Sequence, residues 1–67
     1  MLTIEFNGQP RQVREGSSIA DLLNESKVES RFCAVERNLE IVAKERYLQQ
    51  LLQEGDKIEV VTLVGGG

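Results

Sequence analysis

Lys57-Ile58-Glu59-Val60-Val61-Thr62-Leu63-Val64, followed by Gly65-Gly66-Gly67, is the segment from which the fold is inferred. The first eight positions are rich in β-branched residues, which predicts a strand. This is the most apolar strand of the chain, so we expect it at the centre of a sheet. Glycine packs no side chain and loses more freedom on ordering than any other residue, so the three glycines do not stabilise the fold.

The glycines have two interpretations. A glycine-rich terminus is often a frayed end or a leftover linker. Alternatively, a partner threads Gly65, Gly66 and Gly67 into a narrow site where any Cβ would collide, and chemistry takes place on the terminal carboxylate. The stretch by itself does not separate these interpretations.

The alternation of side chains along a strand assigns its two faces. With Ile58 and Val60 towards the core, Glu59, Val61 and Leu63 lie on the other, solvent side. Two exposed apolar side chains beside the glycine tail predict a partner-docking patch at Val61 and Leu63. The alternative is that both are ordinary exposed strand residues.

Composition excludes several classes of function. The chain has 67 residues, which is one small domain without room for a catalytic cleft. Eight basic and eleven acidic residues give a net charge of −3, and there is no basic cluster, so we expect no nucleic acid partner. No apolar run approaches the roughly 20 residues that span a bilayer, and no leader pattern is present. The expectation is a cytoplasmic protein without a membrane partner.

The reactive side chains are few. One cysteine excludes an internal disulfide, and the absence of histidine removes the commonest metal ligand and general base. We therefore expect no catalytic residue and no metal site, and a role in catalysis only as a substrate. Cys33 lies in a strand-like run, where a free cysteine usually acts as a small buried hydrophobe.

The first part of the chain predicts a hairpin. Leu2–Phe6 alternates apolar and polar residues, and Asn7-Gly8 favours a tight turn with positive φ. The return strand is expected over residues 9–14. Because Pro10 cannot donate to a ladder, this strand belongs at a sheet edge.

A helix is predicted next, over residues 19–26. Ser18 and Asp21 have the spacing of a capping box at its start. Ile19, Leu22 and Leu23 form one apolar stripe. We expect the stripe to cover the apolar face of the hairpin, made of Leu2, Ile4, Phe6 and Val13.

The middle of the chain predicts two short strands, over residues 32–36 and 40–42, joined by a turn at 37–39. Residues 44–53 predict an irregular helical turn, with Tyr47 as a packing residue and Leu48, Leu51 and Leu52 at helical spacing. Glu54 and Asp56 flank a turn and are expected to be solvated or capping. These elements predict an α+β fold, a mixed four- to five-stranded sheet with one main helix across one face.

At this point the chain resembles the ThiS family of ubiquitin-like β-grasp sulfur carriers, which serve thiamine biosynthesis. The resemblance covers nearly the whole length. It is carried by Phe6-Asn7-Gly8, the helix start at 16–23, the segments 35–42 and 54–58, and the terminal glycines. It implies a β-grasp domain over residues 1–64 and a flexible C-terminal glycine tail over 65–67.

The resemblance also implies a chemistry. A ThiF-like adenylating enzyme would use ATP to activate the carboxylate of Gly67, and a sulfur donor protein would supply the sulfur that replaces AMP. The thiocarboxylate would then deliver this sulfur to a ThiG-like thiazole synthase. Gly66 would complete the di-glycine, whereas Gly65 is an addition to the family pattern. No cofactor would be bound, and a monomer is the expected form.

Three alternatives stay open. The chain could carry sulfur for molybdopterin or another pathway. It could instead be a ubiquitin-like protein modifier whose terminal glycine is joined to a lysine. The third is a non-covalent β-grasp interaction module in which the glycines are incidental.

Overall fold

The chain forms a five-stranded mixed sheet with one α-helix across it, in a computed structural model that describes residues 1–29 and 33–62. Along the sheet the strands lie in the order β2-β1-β5-β3-β4. In chain order the elements are β1 (Leu2–Phe6), β2 (Gln9–Val13), α1 (Ile19–Glu25), β3 (Cys33–Arg37), β4 (Glu40–Val42), a 3₁₀ turn (Lys44–Arg46) and β5 (Lys57–Thr62). The α+β prediction and the central place of the last strand are confirmed.

The hairpin of β1 and β2 forms as predicted. Asn7 and Gly8 have φ of 51° and 82°, the two positive values that a tight hairpin turn requires. The strands pair antiparallel from Phe6↔Gln9 to Leu2↔Val13. β2 is an outer strand, as Pro10 predicted, although it ends one residue earlier than expected.

Helix α1 has the expected start and an earlier end. Ser18 Oγ accepts a hydrogen bond from Asp21 N at 3.1 Å, and Asp21 Oδ2 accepts one from Ser18 N at 2.9 Å. The helix stops at Glu25 because Lys27 takes a left-handed φ of 58°. Val28 N then donates to Leu23 O at 3.0 Å, which is the closing bond of a Schellman motif.

The core lies between α1 and one face of the sheet. The helix residues Ile19, Leu22 and Leu23 are buried, as predicted, against Ile4 and Val13 of the hairpin. Leu2 and Phe6 pack at its border. The remaining buried apolar side chains of this cluster are Val35, Tyr47, Leu52 and Ile58.

In the second hairpin the end of β3 is shifted by one residue from the prediction, whereas β4 has the predicted bounds. β3 is Cys33–Arg37, so Arg37 belongs to the strand and not to the turn, while the expected first residue, Phe32, lies outside the described residues. The turn consists of Asn38 and Leu39, with φ of 53° and 72°. Pairing Arg37 with Glu40 leaves only these two residues for the turn, which explains the shift.

The segment after β4 forms the expected short, irregular helical turn, at Lys44–Arg46. Two of the three leucines at helical spacing, Leu48 and Leu51, are 79% and 50% exposed and do not join the core. Tyr47 and Leu52 are buried instead. The carbonyls of Tyr47 and Gln50 accept the N–H groups of Ala20 and Ile19, each at 3.0 Å. The segment thus binds N–H groups at the start of α1 that have no partner within the helix.

Candidate functional site

The candidate site is the C-terminal end of β5, the strand that precedes the glycine tail in the sequence. β5 runs parallel to β1 and antiparallel to β3. Ile58 is buried and Val60 packs at the border of the core, whereas Glu59 and Val61 are exposed, Val61 by 43%. The predicted faces of the strand are confirmed for these four residues. Leu63, Gly65, Gly66 and Gly67 lie outside the described residues, so the docking patch and the tail's role stay predictions.

Neighbouring strands extend the surface around Val61. Val61 lies opposite Ala34, Glu59 opposite Glu36, and Glu36 opposite Ile41, so all five residues share one face. We call this set the outer face. Ile41 is 66% exposed and was missed in the sequence, because only the register of β4 against β3 shows that it lies on the same face as Val61.

Asp56 fixes the start of β5. Of the two expectations for Asp56, solvated or capping, solvation is wrong because the side chain is only 4% exposed, whereas capping is confirmed. Its carboxylate accepts hydrogen bonds from Arg37 Nε at 2.9 Å, Asn38 Nδ2 at 3.2 Å and Gln53 N at 2.9 Å, the last of which is cap-like. The carboxylate therefore joins the β3–β4 turn to the beginning of the last strand.

The pKa of Asp56 reports this environment. Burial by itself would raise the pKa, but the hydrogen bonds from Arg37, Gln53 and Asn38, with the charge of Arg37, outweigh it and hold the pKa below its ordinary value. The carboxylate is therefore ionised in the folded protein at neutral pH. It acts as a buried anionic anchor.

Asn7 holds β5 from the opposite side. Its backbone N–H donates to Ile58 O at 2.9 Å, and its side-chain Oδ1 accepts from Val60 N at 2.8 Å. These bonds continue the β1–β5 ladder by one step after β1 itself has ended at Phe6. Together Asn7 and Asp56 fix the path of the strand towards the tail.

Two further side chains have structural roles, as predicted. Cys33 is buried and its Sγ donates to the carbonyl oxygen of Glu29 at 3.1 Å. Tyr47 is buried, and this burial raises the pKa of its hydroxyl. The expected solvation of Glu54 holds, since it is exposed and accepts a bond from Thr3 N at 3.0 Å.

Side-chain chemistry is sparse in the described part of the chain. Residues 1–29 and 33–62 contain no group of three His, Cys, Asp or Glu residues arranged to hold a metal ion. Within the same ranges no helix is long and apolar enough to cross a membrane. Among the described side chains of the site, Asn7 and Asp56 hold the last strand in place.

Comparison with known proteins assigns the family. The family model described as "ThiS family" matches residues 4–67. The chain belongs to the ThiS family. A ThiS relative, the sulfur carrier protein of Bacillus subtilis (strain 168), is 40% identical over 65 residues, which are 96% of this chain and 98% of that protein. The β-grasp expectation is confirmed by the crystal structure of the ThiS protein from Geobacter metallireducens, with a TM-score of 0.82 and 28% identity over 98% of this chain and 100% of that one.

A second kind of relative is much longer than this ThiS family member. A thiazole synthase of Paramagnetospirillum magneticum (strain ATCC 700264 / AMB-1) is 44% identical over 66 residues. The match covers 98% of this chain but 20% of that protein, so the chain spans about a fifth of its length. A ThiS-like segment thus lies in the same polypeptide as a thiazole synthase in that organism.

Proposed function

We propose that this chain is a sulfur carrier protein of thiamine biosynthesis, with sulfur carried as a thiocarboxylate on Gly67. The observation that supports the function best is the end-to-end similarity to the Bacillus subtilis sulfur carrier, at 40% identity over 98% of that protein. The fold agrees with this role, because β5 is a central strand held in place by Asn7 and Asp56, and the glycines follow it in the sequence after Leu63 and Val64. Molybdopterin carriage, protein modification and a purely non-covalent role receive no comparable support.

The reaction needs an activated carboxylate. A carboxylate oxygen is a poor leaving group, so a partner enzyme would first join the Gly67 carboxylate to the AMP part of ATP and release pyrophosphate. A sulfide equivalent would then attack the carbonyl carbon, and AMP would leave. The product is a thiocarboxylate whose sulfur is an anion at neutral pH, the reactive form of sulfur. ATP is a substrate of the partner, and the chain itself binds no cofactor in this scheme.

The glycine tail supplies length and a small cross-section. Three extended residues span at most about 10 Å, and without Cβ atoms they fit a channel that other residues would block. Ordering each glycine costs about 1–2 kcal/mol, and the tail offers only backbone hydrogen bonds in return. The folded body must therefore provide much of the affinity, and Val61 and Ile41 are exposed apolar side chains of the outer face that a partner could contact.

Two partner enzymes follow from this scheme. The first is a ThiF-like adenylating enzyme, which would receive sulfur from a sulfur donor protein. The second is a ThiG-like thiazole synthase that would accept the sulfur. The Paramagnetospirillum magneticum protein supports the second partner, because linking two modules in one chain gives each a high effective concentration at the other.

Carrier-dependent ATP–pyrophosphate exchange by a ThiF-like enzyme tests the first step. We expect exchange with the wild-type chain, strong impairment with Gly66→Ala, and a smaller effect with the matched control Gly65→Ala. Normal exchange with Gly66→Ala would refute threading of the tail through a narrow channel. Exchange that continues when the Gly67 carboxylate is replaced by a carboxamide would refute the assignment of the reacting carboxylate.

A further inference from the structure

The last strand extends further than the strand beside it. β1 pairs with β5 only at Glu5↔Lys57 and Phe6↔Ile58, and then turns back at Asn7. On the other side β3 follows β5 as far as Cys33↔Thr62. Within residues 1–29 and 33–62, β5 therefore has a neighbouring strand on only one side beyond Ile58.

The hydrogen bonds show which backbone groups lie on the open side. Successive residues of a strand direct their N–H and C=O groups to opposite neighbours. The Lys57 carbonyl accepts from Asn38 N at 2.8 Å, on the β3 side. The Ile58 carbonyl and the Val60 N–H bind Asn7, on the β1 side. By this alternation the Val60 C=O and the Thr62 N–H also point to the β1 side.

Asn7 binds two of these four groups, the Ile58 C=O and the Val60 N–H. Its Oδ1 accepts the Val60 N–H, and no described strand pairs with the Val60 C=O or the Thr62 N–H. We call these two groups the open edge. Natural sheets protect such edges with proline, with charges or by keeping the strand short. Here β2 carries Pro10 and β4 has only three residues, whereas residues 60–62 are Val-Val-Thr.

We infer that the open edge pairs with an extended segment of the adenylating enzyme, an inference that rests on the proposed function. An N–H and a C=O two residues apart on one strand edge match the backbone of a second strand, which is the basis of β-augmentation. Residue 62 directly precedes residues 63–67, so a strand placed here would also guide the tail. The added backbone bonds would offset part of the cost of ordering the glycines.

The test replaces one backbone amide by chemical synthesis of the 67-residue chain. An amide-to-ester change at Thr62 removes its N–H and keeps the side chain. The matched control is the same change at Thr3, whose N–H binds only the exposed Glu54 side chain at 3.0 Å. The Thr62 ester also makes the Val61 carbonyl a weaker acceptor, and the Thr3 ester does the same to the Leu2 carbonyl. Both carbonyls belong to antiparallel ladders, so the two esters should lower the stability of the fold by similar amounts.

The readout is the KM and kcat of the chain in ATP–pyrophosphate exchange with the ThiF-like enzyme. We expect the Thr62 ester to raise KM about tenfold, as loss of an intermolecular hydrogen bond predicts. The expected kcat is nearly unchanged, and the Thr3 ester should keep the wild-type KM. Equal KM values for the Thr62 ester and the wild type would overturn the inference. If the wild-type chain itself supports no exchange, it is the proposed function that fails.

A second copy of the chain is the other possible occupant of the edge. Sedimentation of the free chain distinguishes a second copy from the enzyme as the occupant. Pairing between copies would give a dimer that the Thr62 ester converts to a monomer. That result would overturn the assignment of the edge to the enzyme. A wild-type monomer, with the KM effect above, supports it.

Discussion

The side-chain oxygen of Asn7 accepts a hydrogen bond from the backbone N–H of Val60 at 2.8 Å. A turn residue of the first hairpin thus replaces the next residue of a β1 strand that has already ended. Its positive φ of 51° suits asparagine, which tolerates the left-handed region better than most residues. Two requirements, turn geometry and a strand partner, are met by one side chain.

Removal of this acceptor should selectively reduce the hydrogen-exchange protection of one amide, that of Val60. Asn7→Gly keeps the positive φ and loses Oδ1, so we expect hydrogen exchange of the Val60 amide to become at least about tenfold faster. The Val61 amide points towards β3 and serves as the internal control, with little change. Asn7→Asp keeps the oxygen and should keep the protection. Equal acceleration at Val60 and Val61 would mean that the whole strand has loosened, contrary to a local role for Asn7.

Stability should depend on pH through Asp56. Its pKa is lowered in the folded state, so the ionised form favours folding. This contribution is complete above the unfolded-state pKa, near pH 4, and is lost as the pH falls through the folded-state value. Asp56→Asn removes the charge, so its stability should vary less with pH over this acid range than that of the wild type.

Urea unfolding of both proteins from pH 7 down to pH 2 measures this difference. At pH 7 the Asn variant should be less stable by about 3 kcal/mol, because Arg37 loses its buried ionic partner. The two curves should converge in acid. Parallel curves would show that Asp56 does not carry the pH dependence.

The outer face contains a like-charge pair that opposes folding. Glu36 and Glu59 are directly opposite on β3 and β5, an arrangement that destabilises a sheet. Glu36→Lys turns the repulsion into attraction and should raise the free energy of unfolding by about 1 kcal/mol. The gain in stability should shrink at 1 M NaCl, because the Debye length is then about 3 Å and the interaction between exposed charges is screened. A gain that is independent of salt would point to a cause other than charge.

Val61 should matter more for binding than for folding. Val61→Asp places a charge on the outer face, and we expect a KM for adenylation at least about tenfold higher. The loss of stability should stay near 1 kcal/mol, the range of strand propensity at a half-exposed site. Val61→Thr, which keeps the branched shape, is the control for binding. A large loss of stability with unchanged KM would contradict the docking role.

Short-range signals predicted much of this fold correctly. Asn7-Gly8, the Ser18 and Asp21 capping pair, and the alternation from Ile58 to Val61 each depend on neighbours within three residues. The turn, the helix cap and the strand faces that they predict follow from local backbone geometry, and the structure confirms all three. The faces of β5, and with them the exposure of Val61, could therefore be derived from the amino-acid sequence alone.

Long-range partners explain what the sequence left undetermined. Asp56 lies in a turn, which favours solvent, but Asn38 and Arg37 reach it from 18 and 19 positions away. The carbonyls of Tyr47 and Gln50 bond to the start of α1, and Leu48 and Leu51 are exposed although the leucines have helical spacing. The open edge depends on the relative lengths and register of β1 and β5. No local pattern encodes such a relation.

The mass of the intact chain is the decisive readout for sulfur carriage on Gly67. The chain is incubated with ATP, a ThiF-like enzyme and a sulfide source, with a chain whose Gly67 ends in a carboxamide as the control. We expect a mass increase equal to exchange of one oxygen for sulfur, located at Gly67 by fragmentation and absent from the control. An unchanged mass under conditions that modify the Bacillus subtilis carrier, or sulfur found on Cys33, would contradict sulfur carriage by the terminal carboxylate.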